Sequence, residues 1–114
     1  MNFNLNNRFS TELPADPEEK NFVRGVLKSC FSYVTPFIPK NPKLIHVSPD
    51  VLKRIGLNEE IAQSEDFLSV FSGKKIQPQT RPFAMNYAGH QFGNWAGQLG
   101  DGRAINLFEI DHNN

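Results

Sequence analysis

The stretch "GHQFGNWAGQLGDGRAINLFEI", residues 89–110, decides the fold because it is strand-like and yet contains five glycines. Glycine weakens the interior of a strand, so a chain that keeps several there needs a structural or functional reason. Asp101-Gly102 is a favourable two-residue turn, since both central positions of a type I′ hairpin require positive φ. The turn predicts a hairpin with the cross-strand pairs Gly100–Arg103, Leu99–Ala104, Gly97–Asn106 and Trp95–Phe108.

The tip of this predicted hairpin is a candidate phosphate site. Gly97, Gly100 and Gly102 leave it without side-chain cover and so expose backbone N–H groups. Arg103 adds a planar, permanently charged guanidinium beside them. The alternative is that the glycines relieve crowding in a twisted hairpin and that Arg103 pairs with Asp101 or another acid. The spacing leaves both interpretations open, and it matches neither a Walker A loop nor the G-x-G-x-x-G order.

Aromatic residues and a histidine surround the entry to the hairpin. A histidine can act as an acid or a base in catalysis, but no nucleophile or orienting carboxylate lies beside His90 in sequence, which favours a packed or hydrogen-bonding histidine over a catalytic one. Trp95 is interpreted as a core residue rather than a stacking platform for a base. Upstream, Phe83, Met85 and Tyr87 alternate with smaller or polar residues, which predicts one half-buried strand.

A long amphipathic helix is predicted between Asp16 and Pro36. Asp16 is suited to cap it, and Pro17 is suited to the first helical position. Apolar residues then recur at helical spacing, namely Phe22, Val23, Val26, Leu27, Cys30, Phe31 and Val34. Because Cys30 lies on this apolar stripe, it is interpreted as a buried structural thiol rather than a reactive one.

The middle of the chain predicts a connector and several short elements. Prolines at 36, 39 and 42 give an extended connector, and "LIHVS" at 44–48 is a strand candidate in which His46 is half-buried. Short helices are predicted after the caps Ser48, Asn58 and Ser64, with Gly56 and Gly73 ending the first and the last. Helices precede strands, so the predicted class is α+β.

Composition limits the class of protein. Twelve basic and twelve acidic residues give a formal charge of zero, so no overall field favours nucleic acid or an anionic membrane. No apolar run approaches the roughly 20 residues that span a bilayer, and no signal peptide is recognisable. Cys30 is the single cysteine, which points to a reducing, cytoplasmic location. Lys74, Lys75 and Arg81 form a basic loop, either a solvated surface or a patch for phosphate or an acidic partner.

Residues 82–109, "PFAMNYAGHQFGNWAGQLGDGRAINLFE", resemble the selenoprotein O family. The family motif reads approximately P-[YF]-A-M-x-Y-[GA]-G-H-Q-F-G-x-W-A-G-Q-L-G-D-G-R-A, and nearly every position matches. Ala88 and Phe108 stand where glycine is common in the family. Upstream, "LP" at 13–14, "TPFIPKNPKLIHVS" at 35–48 and "LKRIGL" at 52–57 are similar to the family's N-terminus. The resemblance covers essentially the whole chain, but only the first part of a family protein.

The resemblance implies a protein-kinase-like fold that binds ATP in a flipped orientation and transfers AMP to hydroxyl side chains of other proteins. Uridylyl transfer has also been ascribed to bacterial relatives. Gly100, Gly102 and Arg103 match family positions that contact the nucleotide. The implied cofactors are ATP and Mg²⁺. The implied partners are protein substrates that carry Ser, Thr or Tyr, with neither nucleic acid nor a membrane among them.

Most of the family's catalytic groups are expected downstream of residue 114. These are the phosphate-pairing lysine, its partner glutamate, the catalytic aspartate and the magnesium ligands. We therefore expect an N-terminal fragment that is inactive alone: an irregular segment at 1–15, a helical and proline-rich lead-in at 16–82, and the start of a kinase-like N-lobe at 83–114. The alternative is a non-catalytic nucleotide-binding or partner-docking domain.

Overall fold

Two small antiparallel sheets and four short helices make up the described part of the chain. The computed structural model describes residues 1–99 and 104–112. The elements are α1 (Arg8–Glu12), β1 (Phe31–Tyr33), α2 (Pro49–Arg54), α3 (Glu59–Ala62), α4 (Glu65–Phe71), β2 (Phe83–Met85), β3 (Tyr87–Gln91), β4 (Asn94–Leu99) and β5 (Ile105–Asn106). One sheet has the order β1-β2-β5, and β3 pairs with β4 in the other. This is the α+β class that the sequence predicts, while the kinase-like N-lobe remains an expectation from the resemblance.

Phe31, at the start of β1, is the centre of the sheet's core. It is fully buried, and its ring centroid lies 5.7 Å from that of Phe9, 5.1 Å from that of Phe83 and 5.2 Å from that of Tyr33. These aromatic contacts hold α1 against the three-stranded sheet. A second cluster of Leu52, Ala62 and Phe67 holds the three later helices together.

The predicted long helix from Asp16 does not form. The residues before β1 instead fold into a loop around Arg24, whose guanidinium pairs with the carboxylate of Asp16 and donates to the backbone carbonyls of Glu18, Lys20 and Phe22. The Asp16 carboxylate accepts hydrogen bonds from the backbone N–H of Glu18 and from the Arg24 guanidinium. Both hydrogen bonds lower the pKa of the carboxyl, the first more than the second. Residues 31–33, which lie near the end of the predicted helix, instead form β1 and pair with residues 83–85 of β2. Cys30 is consequently half-buried at the sheet edge rather than on a helical stripe.

The predicted helix starts after residue 47 are confirmed. The side chains of Ser48, Asn58 and Ser64 accept from the backbone N–H groups of Val51, Ile61 and Phe67 respectively. Gly56 and Gly73 follow the first and last of these helices with φ of +74° and +79°. No helix within residues 1–99 and 104–112 has the length and apolar character to cross a membrane.

The strand predicted at 44–48 does not form, and residues 1–15 differ in part from the irregular segment that was expected. Residues 44–48 are not a strand, because Leu44 and Val47 pack on the helical core while His46 is exposed. Residues 1–15 are more regular than expected, since they contain α1 and Leu5 bridges Ile110. The backbone N–H of Phe9 in α1 donates to the Glu109 carboxylate at 2.9 Å. A distant acid thus supplies the cap that Asn7 does not provide.

The predicted pairs Leu99–Ala104, Gly97–Asn106 and Trp95–Phe108 are also wrong, while the Gly100–Arg103 pair and the Asp101-Gly102 turn lie outside the described residues. β4 pairs with β3, so that His90 faces Trp95, while Asn106 in β5 faces Phe83 in β2. The turn between β3 and β4 is Phe92-Gly93, whose φ angles are both positive at 51° and 82°. This satisfies a type I′ turn, although a phenylalanine in the left-handed region is a weaker sequence signal than Asp-Gly. The single strand predicted from Phe83 to Tyr87 is divided between the two sheets.

Gly97 produces a bulge in the β3–β4 pair. The register shifts by one residue between Ala88 and His90, so β4 contributes the extra residue. Gly97 has φ +72°, and no atom of the described residues, its two chain neighbours aside, lies within 4 Å of the position where its Cβ would stand. A glycine in the left-handed region beside an extra strand residue is the signature of a G1-type bulge. Gly97 is therefore required by backbone conformation and not by lack of space.

We expect Gly97→Ala to lower the free energy of unfolding by about 1 kcal/mol, because an L-residue is strained in the left-handed region. Gly89→Ala is the matched control, since Gly89 lies on the paired strand, has no positive φ and likewise has no non-neighbouring atom of the described residues within 4 Å of its Cβ position. Thermal unfolding followed by circular dichroism should place Gly97→Ala roughly 4 °C below Gly89→Ala. Equal melting temperatures would exclude the bulge.

Asp66 should make stability depend on pH at the acidic end. Its carboxylate lies 2.6 Å from the Lys75 ammonium and 2.6 Å from the Met1 amine, and these contacts lower its pKa to about 2 from the ordinary 3.8. A carboxyl whose pKa is lower in the folded state than in the unfolded state stabilises the fold at pH values above its unfolded-state pKa. This contribution is lost as the pH falls towards the folded-state pKa. Asp66→Asn should therefore unfold at lower urea concentration at pH 7, and the difference from wild type should shrink between pH 4 and pH 2. A difference that stays constant over this range would contradict the assignment.

Candidate functional site

The three predicted nucleotide contacts, Gly100, Gly102 and Arg103, lie outside the described residues. The structure does describe the strands on either side of them. Leu99, the last residue of β4, faces Tyr87, and Ile105, the first residue of β5, faces Ala84. β4 and β5 thus belong to different sheets, and both are paired with the continuous run from β2 to β3.

Asn86 stands at the junction of that run and is a polar residue that sequence reasoning missed. Its backbone N–H donates to the Cys30 carbonyl at 2.8 Å, and its side-chain Nδ2 donates to the Ser29 carbonyl at 3.1 Å and to Ser29 Oγ at 2.9 Å. The Ser29 carbonyl can only accept, which fixes the orientation of the amide. Asn86 Oδ1 is then buried with no partner among the described residues. Such an acceptor costs about 1–3 kcal/mol unless a donor reaches it.

An open cleft of about 530 Å³ lies beside this junction. It is lined by Pro14, Lys28, Ser29, Cys30, Asn86, Tyr87 and Ala88. Lys28 has φ +62° and an exposed side chain, so it brings a cation to the rim. The cleft can therefore attract an anionic group through Lys28. Sequence inspection could not pair Lys28 with Asn86, because only the β1–β2 contact brings them together.

The remaining candidates at the hairpin have different outcomes. His90 packs against the Trp95 ring in an edge-on arrangement with centroids 5.2 Å apart, as expected of a packed histidine. Trp95 is 63% exposed, so its interpretation as a core residue is wrong. The reason is that β3 and β4 form a two-stranded ribbon to which no third described strand is hydrogen-bonded.

The described residues supply no ready metal site. Within residues 1–99 and 104–112, no group of three or more His, Cys, Asp or Glu side chains could hold a metal ion. Magnesium is bound through oxygen ligands, usually one or two carboxylates together with water and substrate phosphates. The expectation of Mg²⁺ therefore rests on the family resemblance and not on side chains in the described part of the chain.

Comparison with known proteins gives the family. A family model described as "Protein adenylyltransferase SelO" matches residues 20–114. The protein nucleotidyltransferase YdiU of Flavobacterium johnsoniae is 60% identical over 113 residues, which are 99% of this chain and 22% of that protein. The proteins of the same name from Aromatoleum aromaticum and Rhodopirellula baltica are 49% and 48% identical, over 95% and 96% of this chain and 21% of each relative.

The chain spans about a fifth of the length of the curated relatives that it matches. The family match covers most of the chain, including β1 to β5 and the connection between β4 and β5. The chain therefore belongs to the SelO protein adenylyltransferase family.

Proposed function

We propose that this chain is the N-terminal, nucleotide-contacting part of a protein adenylyltransferase that transfers AMP from ATP to Ser, Thr or Tyr hydroxyls of proteins. The observation that carries the proposal is the family match from residue 20 to residue 114, which includes the whole glycine-rich segment. The names of the relatives, protein nucleotidyltransferases, support the same reaction class.

In this proposal the segment between β4 and β5, which contains Gly100, Gly102 and Arg103, binds the triphosphate of ATP. Backbone N–H groups near Gly100 and Gly102 would donate to phosphate oxygens, and Arg103 would supply fixed positive charge. The substrate hydroxyl oxygen attacks the α-phosphorus and gives up its proton to a base, for which the family's catalytic aspartate is expected downstream of residue 114. The bond from that phosphorus to the bridging oxygen breaks, and pyrophosphate leaves with the electron pair. Charge that develops on the phosphate oxygens is then stabilised by the guanidinium and the amides. Mg²⁺, when bound, supplies further positive charge to the phosphates.

The described structure gives two glycines of the glycine-rich stretch at residues 89–110 a structural role, which leaves fewer candidates for a phosphate contact. Gly93 is needed for the β3–β4 turn and Gly97 for the bulge. The phosphate interpretation therefore rests on Gly100 and Gly102, at the connection between the sheets. The cleft beside Asn86 supports it, because Lys28 adds a cation close to the run that anchors both flanking strands.

Arg103→Ala and Gly100→Val should each reduce AMP transfer by roughly 100-fold in a full-length family protein that carries this N-terminal part, as expected when a fixed charge donor is lost or blocked. Labelled ATP and a protein substrate provide the measurement. Arg8→Ala is the control, because Arg8 is exposed and pairs with Glu12 on the same helix. If Arg103→Ala and Gly100→Val both retained the wild-type rate, the conclusion would be that this segment does not contact the nucleotide.

The 114-residue chain alone should transfer no label to protein in the presence of ATP and Mg²⁺, because the catalytic aspartate and the metal ligands of the family are expected beyond residue 114. The assay is incubation with labelled ATP and a protein substrate, followed by gel autoradiography. Label on protein that depends on this chain would contradict the prediction. Tight ATP binding by a full-length protein that transfers nothing would favour a non-catalytic nucleotide-binding module instead.

A further inference from the structure

The proline-rich connector is a strap that is fixed at both ends. We call residues 36–44 the proline strap. At one end, buried Pro36 packs on Gly73, where an added Cβ would lie 2.9 Å from the Pro36 Cβ. At the other end, Leu44 packs on the helical core of Leu52, Ala62 and Phe67. Prolines at 36, 39 and 42 also stiffen the backbone between these anchors.

Between its anchors the proline strap forms one wall of a second open cleft, of about 580 Å³. The strap contributes Lys40, Asn41, Pro42 and Lys43, and the facing wall consists of Glu65, Leu68, Ser69 and Lys74. We call this the lysine cleft. Lys74 follows α4 directly after Gly73, so the contact that anchors the strap also brings Lys74 to the strap lysines.

The lysine cleft concentrates positive charge in a chain whose formal charge is zero. Among the described residues, three lysines line it, and Glu65 is the one acidic residue beside them. None of Lys40, Lys43 and Lys74 forms an ion pair with any residue in the described ranges 1–99 and 104–112. Uncompensated like charges in a shared concave surface create a local field that attracts anions.

The basic loop predicted from the sequence is therefore divided in the structure. Lys75 pairs with Asp66 at 2.6 Å, and Arg81 pairs with Glu19 at 2.6 Å while lying over the Tyr33 ring at 3.8 Å. Lys74 alone of the three faces the lysine cleft. The sequence left a solvated surface and an anion patch as alternatives, and this division favours an anion patch that Lys74 shares with the strap.

We propose that the lysine cleft binds an acidic segment of a polypeptide partner. Lysine is a flexible, strongly hydrated point charge, which suits a run of carboxylates that needs no bidentate geometry. Leu68 and Pro42 provide apolar wall for the aliphatic parts of Glu and Asp side chains, and Asn41 and Ser69 can hydrogen-bond to an extended peptide backbone. No aromatic ring is among the eight lining residues, so the cleft lacks the stacking platform typical of single-stranded nucleic acid sites.

The strap's anchoring lowers the cost of binding. A wall held at Pro36 and Leu44 and stiffened by proline loses less conformational entropy on binding than a flexible loop would. The three side chains are exposed, so the interaction is electrostatic, screened by salt and governed by the number of lysines engaged.

Fluorescence anisotropy of a fluorescein-labelled octaglutamate peptide, titrated with the 114-residue chain at pH 7 and low salt, tests this site. The triple variant Lys40→Gln, Lys43→Gln, Lys74→Gln should weaken binding by about tenfold and flatten its salt dependence. The matched control Lys20→Gln, Lys53→Gln, Arg54→Gln removes the same charge from exposed positions outside the cleft and should stay within about twofold of wild type.

A variant that binds the peptide more tightly distinguishes an effect of charge from an effect of lost structure. Glu65→Gln removes the one carboxylate that lines the cleft, so it should tighten peptide binding, an effect that loss of structure cannot produce. The proposal is overturned if wild type does not bind the peptide, if both triple variants weaken binding equally, or if Glu65→Gln weakens it. It is also overturned if an oligothymidylate of equal charge displaces the peptide at lower concentration. The test requires no catalytic turnover, so its failure would leave the proposed transfer reaction standing.

Discussion

The burial of Phe31 between α1 and the three-stranded sheet is the constraint on which the rest of the structure depends. Phe31 is fully enclosed where β1 pairs with β2, and the register of this pair brings Ser29 and Cys30 beside Asn86. Full burial of a phenylalanine contributes about 1.5–3 kcal/mol. Helical periodicity alone stabilises an isolated segment only weakly, so the sheet prevails over the predicted helix and Arg24 organises the loop that remains.

The glycines of the chain serve separate physical purposes, although they look alike in sequence. Gly93 completes a turn in which both φ angles are positive, and Gly97 creates a bulge. Gly73 permits the close approach of Pro36 and thereby shapes the lysine cleft. A glycine-rich segment is therefore not a single signal for a phosphate site. The nucleotide interpretation of Gly100 and Gly102 draws its support from the family match rather than from glycine content.

A formal charge of zero hides an uneven distribution of charge. Arg8, Arg24, Lys75 and Arg81 are engaged by nearby carboxylates, whereas the lysines of the proline strap face Lys74 across an open cleft. Net charge determines the field far from the protein, but neighbouring groups within about a Debye length determine the field at its surface. The balance of acids and bases in the sequence therefore excludes a global attraction to anions and leaves a local one open.

The sequence by itself determined the family, the α+β class and the starts of α2, α3 and α4. A helix cap joins a side chain to a backbone N–H three residues away, so Ser48, Asn58 and Ser64 carry their own signal. Only the tertiary structure decided the strand partners, the loop at 16–30 and the two clefts. The strand partners and the clefts depend on contacts between residues far apart in the chain, such as Phe31 with Met85, and no local pattern contains such a contact. The loop at 16–30 follows because β1 takes the residues that would have ended the predicted helix.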